Sequence, residues 1–325
     1  MQYFTRFERL IRVMVAAAVG AVPLMVLAQP YPARPITLVV PYTPGTGIDI
    51  VARTIGPKLT ERWGQPVVVE NKPGASGNIG ANVVAKAQAD GYTMMVTVNT
   101  FTITPALYPS LPYDPVKDFT VVSGAATGNL ALVAHPSTGI RELKDLIAVA
   151  KGGKLTYSSP GNGTPQHLAM EVIKKRMGFE ALHVPYKGAA QALTDLIGGQ
   201  VQLAVLPVHT ALPHAKSGRL NAIAVSGERR SVLAPDLPTF ADLGLKNLGL
   251  DLYFWVAGPP GLPADIAQKW TQELSGILQL QDVRDTFIRQ GMVPNAVAPA
   301  QQTQEIAADV SRWRAFITEA GIKAD

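Results

Sequence analysis

"VPYTPGTGIDIVAR", from Val40 to Arg53, decides the reading of the fold. An apolar strand ends at Val40, a turn with two prolines and two glycines follows, and an amphipathic helix opens. The first four N–H groups of a helix lack intrahelical partners, and the peptide dipoles place partial positive charge there. A loop so bare of side chains can therefore receive an anion. A tight turn started by Asp49, whose carboxylate bonds its own loop N–H groups, needs no ligand, and this stretch alone fits both readings.

Outward from that loop, apolar runs alternate with helical patterns. "ITLVV" (Ile36–Val40), "PVVVE" (Pro66–Glu70), "TMMVTV" (Thr93–Val98), "LALVA" (Leu130–Ala134), "KLTYSS" (Lys154–Ser159), "VQLAVL" (Val201–Leu206) and "LNAIAV" (Leu220–Val225) read as strands. They are continuous rather than alternating, which predicts strands buried on both faces and parallel α/β sheets. Ile48, Val51, Ala52, Ile55 and Leu59 form one helical stripe, with a kink expected at Gly56–Pro57; Ile306, Val310, Trp313, Ile317 and Ala320 form another.

The chain changes domain near "VVSGAATGN" (Val121–Asn129) and again in the Pro-rich segment from Ala234 to Pro263. Two crossings predict a first domain of residues 29–125 and 228–325 and an inserted domain of 126–227, with a ligand cleft between facing sheets. Arg6, Arg9 and Arg12 precede a 15-residue apolar run, Val13–Leu27, and small residues precede a cut after Ala28, so residues 1–28 read as a secretory signal peptide. That run is shorter than the ~20 residues of a membrane-spanning helix, and the mature 297-residue chain is expected to be exported and soluble.

Composition narrows the chemistry. The chain has no cysteine, which excludes disulfides, thiolate metal sites and cysteine nucleophiles. Its net charge of +5, +3 without the leader, is dispersed and does not suit nucleic acid. "SSPGNGTPQHLAM" (Ser158–Met170) repeats the strand–glycine–helix order in the other half, with Thr164 placed to cap and Pro165 at the first helical position. "NKPGASGNIGANVVA" (Asn71–Ala85) supplies a third such loop. Together they point to a small anionic solute held by backbone donors, with no arginine clamp required.

The enzyme signatures are missing. Neither "GTGIDI" nor "GASGNIG" fits G-x-G-x-x-G, no Walker lysine follows a phosphate loop, and Ser76 has Asn78 where G-x-S-x-G needs glycine. His135, His167, His183, His209 and His214 have no metal-ligand spacing, so neither metal nor cofactor is expected. His167, one turn into its helix, could face a ligand or bond a neighbouring carbonyl. Tyr186 and Lys187 in "HVPYKG" could rim the cleft or be ordinary loop residues.

With "ADGYTMMV", "LPYDPVKDF", "HVPYKGAAQALTDLIGGQVQ", "SGRLNAIAVSGERR" and "PDLPTFADLG", these motifs in their fixed order resemble the Bug family, the periplasmic solute-binding receptors of tripartite tricarboxylate transporters. The resemblance covers nearly all of the mature chain. It implies a type II periplasmic-binding-protein fold, a small carboxylate held by loop backbone groups and waters, membrane transporter subunits as partners, and a monomer.

The resemblance also assigns ligand-binding positions. It implies Tyr42, Thr43, Pro44, Gly45 and Asp49 in the first loop, Ala75, Ser76 and Gly77 in the next, and Asn99 and Thr100 after the third strand. Ser159, Gly161, Gly163, Thr164 and His167 come from the inserted domain, followed by Tyr186, Lys187 and Gly188. Thr46, Ile48 and Leu206 depart from the family's usual glycine, small hydroxyl residue and aspartate. A bulkier, less polar pocket follows, in which Phe101 is expected to offer a surface for an aromatic or branched acid. An exported enzyme acting on a small carboxylate, or an orphan sensory receptor without a transporter, are the alternatives; the enzyme needs a poised acid–base pair that the sequence does not assemble.

Overall fold

The computed structural model describes residues 31–108, 110–153 and 155–323; the signal peptide expected over 1–28 lies outside them. Residues from Arg34 onward form one compact unit. It opens with β1 (Ile36–Val40), α1 (Gly47–Trp63), β2 (Val67–Asn71), α2 (Asn78–Ala85), β3 (Thr93–Val98), α3 (Thr100–Leu107) and β4 (Thr120–Gly128). The middle contributes β5 (Leu130–Ala134), α4 (Leu143–Gly152), β6 (Leu155–Ser159), α5 (Pro165–Met177), β7 (Ala181–Pro185), α6 (Ala189–Ile197), β8 (Leu203–Pro207), α7 (Val208–Lys216) and β9 (Asn221–Val225). The chain then adds β10 (Leu252–Gly258), α8 (Ala264–Ile277), α9 (Gln281–Arg289), β11 (Met292–Pro294) and α10 (Pro299–Ala320).

Two sheets result among the described residues, a six-stranded one ordered β11-β4-β10-β3-β1-β2 and a five-stranded one ordered β7-β6-β8-β5-β9. The chain leaves the first sheet at Asn129, directly after β4, and returns between Val225 and Leu252. The sheets are mixed, which corrects the parallel expectation. β1 pairs in parallel with β2 and β3, but β10 runs antiparallel to both β3 and β4, and β5 antiparallel to β8 and β9. Strands that cross back between sheets enter from the opposite end, so each return reverses direction. β2, at an edge, alternates between half-buried and exposed residues instead of being buried on both faces.

The helices lie where their apolar stripes predict. In α1 the stripe Ile48, Val51, Ala52, Ile55 and Leu59 is buried, each larger side chain contributing about 1.5–3 kcal/mol relative to exposure. The helix continues through Pro57 to a left-handed Gly64 that ends it. In α10 Ile306, Val310, Trp313 and Ile317 are buried, while Ala320 is exposed. Trp313 and Ile317, together with Ile103 and Leu107 of α3, pack into the core of the second sheet beside Leu132, Tyr157 and Leu203. Among the described residues no helix is long and apolar enough to cross a membrane.

Candidate functional site

Among the described residues at least eight helices start without a side-chain cap, and four of them follow the candidate loops: α1 after Thr46, α2 after Gly77, α3 after Asn99 and α6 after Gly188. The Thr46 hydroxyl donates to the Thr43 carbonyl at 3.0 Å instead of turning to the helix. Uncapped first-turn N–H groups are the donors that an anion would satisfy.

Asp49 braces the first loop. Its carboxylate, 3% exposed, accepts the Gly45 N–H at 2.9 Å, Arg53 Nε at 3.0 Å and Asn71 Nδ2 at 2.9 Å. Burial opposes ionisation, but the bonds from Gly45, Asn71 and Arg53 and the Arg53 charge together bring the carboxyl below its ordinary range. Asn71 Nδ2 also donates to the Tyr42 carbonyl at 3.0 Å, so the edge strand β2 holds the loop from the side. Asp49 thus bonds its own loop, the Gly45 N–H donating to its carboxylate, as the ligand-free reading of this turn expects.

Tyr42 gathers the neighbouring loops. Its hydroxyl donates to the Ser76 carbonyl at 3.3 Å and receives a bond from Thr100, while burial pushes its pKa well up. Ser76 Oγ lies 3.1 Å from the Tyr108 hydroxyl, just beyond α3. Gly74, Ala75, Ser76 and Gly77 all have positive φ, +131°, +47°, +55° and +92°, an arrangement that is uncommon for the two non-glycine residues. Asn99, 2% exposed, donates from Nδ2 to the Asp251 carbonyl at 2.9 Å and leaves its buried Oδ1 without a partner.

The loop after β6 is folded on its own groups. Ser159 Oγ donates to the Gly161 carbonyl at 3.1 Å and lies 2.6 Å from His183 Nε2, while Thr164 Oγ1 donates to the same Gly161 carbonyl at 2.8 Å. His167 Nδ1 accepts the Gly163 N–H at 2.9 Å, and its ring stacks on His183 at 3.9 Å with 8° between planes. Burial, with His183 and Lys174 adding, pushes His167 down to about 3, so the ring is neutral near pH 7 and offers no positive charge to a carboxylate. Gly163 meets α3 so closely that a Cβ there would fall 1.9 Å from Leu107 Cδ1. Through α3, the loops that follow both sheets therefore come together: Thr100 at one end touches Tyr42, and Leu107 and Tyr108 at the other touch Gly163 and Ser76.

Several expected contacts point elsewhere. Phe101 is 4% exposed and packs with Tyr113, Phe119 and Trp255, its ring 5.0–5.9 Å from theirs, so it presents no aromatic surface to a ligand. Leu206 is 5% exposed in the apolar layer with Ala131, Leu196, Val208 and Ala211. Ile48 likewise belongs to the buried face of α1. The Tyr186 hydroxyl donates to Asp195 Oδ2 at 2.7 Å, and burial, with that carboxylate adding, raises it to about 12. Thr43, Pro44, Ala75 and Lys187 are exposed along the loops. Tyr108, Asn71, Tyr157 and His183 were not among the expected site residues; a tyrosine one residue past a helix that starts at two candidate positions was the signal for Tyr108.

Two of the cationic side chains near these loops are engaged by carboxylates, Arg53 with Asp49 and Lys174 with Glu171 at 2.7 Å, while Lys187 is exposed. Two α/β domains joined by crossings are the architecture of periplasmic binding proteins. The chain belongs to the tripartite tricarboxylate transporter family of receptors, whose family model matches residues 51–322. It is 35% identical to Protein BugT of Bordetella pertussis over 323 residues, 98% of each chain. R. palustris Rpa4515, solved with adipate, superposes with a TM-score of 0.82 at 32% identity, covering 91% of this chain and all of that one. MatC of Rhodopseudomonas palustris, solved with malate, gives 0.76 at 29% identity over 87% of this chain and 99% of its own.

Proposed function

We propose that the protein is exported to the periplasm through residues 1–28, binds a small carboxylate between its two domains without altering it, and delivers it to membrane subunits of a tripartite tricarboxylate-type transporter. The observation that carries this reading is the set of uncapped helix starts that follow the loops around Tyr42 and α3. Backbone donors to an ionised oxygen contribute roughly 1.5–3 kcal/mol each. Three or four reach the about −8 kcal/mol of a micromolar complex. Ser76, Asn99, Thr100, Ser159 and Thr164 bring hydroxyls and an amide to the same loops, where each is bonded to a neighbouring group in this structure. With Phe101 and Leu206 packed in the apolar layers, neither side chain favours an aromatic acid. An aliphatic dicarboxylate fits better, in keeping with the adipate and malate of the two R. palustris proteins.

Calorimetric titration of the mature protein with adipate, malate, succinate, glutamate and benzoate tests this. An aliphatic diacid should bind in the micromolar range, be recovered intact, and reduce the radius of gyration in small-angle scattering, since a ligand touching both domains favours the closed state. Failure of all five to bind, or recovery of a transformed product with turnover, would refute the reading.

A further inference from the structure

Three chain segments meet where the two sheets are joined. Asn129 is the single residue between β4 and β5, Ser226 follows β9, and Asp251 precedes β10. Asp251 Oδ1 accepts Ser226 Oγ at 2.5 Å and Asn129 Nδ2 at 3.2 Å, so one carboxylate oxygen holds both crossings. Asn129 Nδ2 also donates to the Ser226 carbonyl at 3.0 Å, and Ser226 Oγ accepts the Leu130 N–H at 2.8 Å. The backbone of the same Asp251 accepts Asn99 Nδ2 at 2.9 Å, and Asn99 opens α3 at the candidate site.

Crossings that were not tied together could each twist separately, and two domains would then reorient about many axes. A shared acceptor makes them turn as one, and the Asn99 bond places the candidate ligand loop one hydrogen bond from that pivot. We propose that Asp251 is a positioning residue for ligand capture, a latch that joins the two interdomain crossings into one hinge and couples it to Asn99. The hinge half of this inference stands on the crossings alone; the coupling to ligand rests on the receptor reading above. Asparagine at this position retains an oxygen that can accept from both Ser226 and Asn129, whereas alanine removes it. Burial holds the Asp251 carboxyl above its ordinary range, with Ser226 and Asn129 opposing and Glu228 adding, so an uncharged amide of the same shape suits the position.

Because the chain has no cysteine, two exposed positions, one on each sheet's helices, can be labelled without other changes: Glu61→Cys on α1 and Lys216→Cys on α7. Spin-label distances between them, without ligand, should be narrowly distributed in the otherwise wild-type protein and with Asp251→Asn. They should broaden with Asp251→Ala, while circular dichroism stays unchanged. Should Asp251→Ala fail to fold, Ser226→Ala, which removes the bridging hydroxyl, should broaden the distances in its place. A folded Ala variant at either position with the wild-type distribution overturns the latch. With adipate as probe, Asp251→Ala should bind about tenfold more weakly, a loss of about 1.4 kcal/mol, and Asp251→Asn should restore the affinity. Equal adipate affinity in all three forms would overturn the coupling to Asn99. Adipate failing to bind the wild type would count against the receptor reading, and the label distances would still decide the hinge.

Discussion

Replacing Asp49 by alanine frees three donors at once, the Gly45 N–H, Arg53 and Asn71, and should lower stability by about 1–3 kcal/mol in urea unfolding at pH 7. Because the folded carboxyl titrates below its ordinary value near about 3.9, its contribution is present above that pH and lost as pH falls through the lower, folded value. The gap between wild type and Asp49→Asn should accordingly close in acid; a gap that is constant with pH would contradict the bracing role. Gly45→Ala isolates the backbone: no atom lies within 4 Å of the new Cβ, yet φ is +81°, so a loss of about 1–2 kcal/mol would come from conformation alone. At this scale the sequence located the loops but not the direction of each side chain. Phe101 is only one position from Thr100, and a helix turns enough in one residue to move a side chain from the loop side into the apolar layer. Leu206 shares its face with Ala204, while Leu203 and Val205 belong to the other layer, a parity that register alone decides.

The turn that leads into α2 carries its own strain. Ala75 and Ser76 sit at φ +47° and +55°, where a Cβ is unfavourable by roughly 1–2 kcal/mol per residue. Ala75→Gly should leave the melting temperature unchanged or higher, whereas the same change at an ordinary position loses about 0.4–1 kcal/mol through the unfolded chain. A clear drop in melting temperature would show that the left-handed run is held without strain. Helices and apolar strands were legible because their periodicity is local. The strands missed, β4, β7, β10 and β11, are those that long-range contacts make possible. β4 is rich in small residues because the segment before α10 crosses it: a Cβ on Gly124 would stand 2.8 Å from Asn295 O and the Val297 backbone. β10 resembles a linker only because prolines follow it, and its two register shifts against β4 blur its pattern further.

At the level of the whole molecule, the two sheets and their crossings were legible as a change of composition near residues 121–129 and 234–263, but the direction in which strands re-enter was not. That depends on pairing across more than a hundred positions. The second sheet also borrows its core: Phe240, Leu248, Trp313 and Ile317 pack with Leu132, Tyr157 and Leu203. Lys175 adds an ion pair to Glu319 at 2.5 Å. A fragment of residues 126–227 should therefore lack a cooperative urea transition, and a sharp one would show that the borrowed residues are dispensable. The position of β10 between β3 and β4 bears on how the protein is made. A ribosome releasing the chain from its amino end has both neighbours out before the strand that must lie between them, and α10, which closes the other core, emerges later still. Neither half can mature during synthesis. Contacts so distant in sequence slow folding, and the newly made chain stays open until its last helix is free.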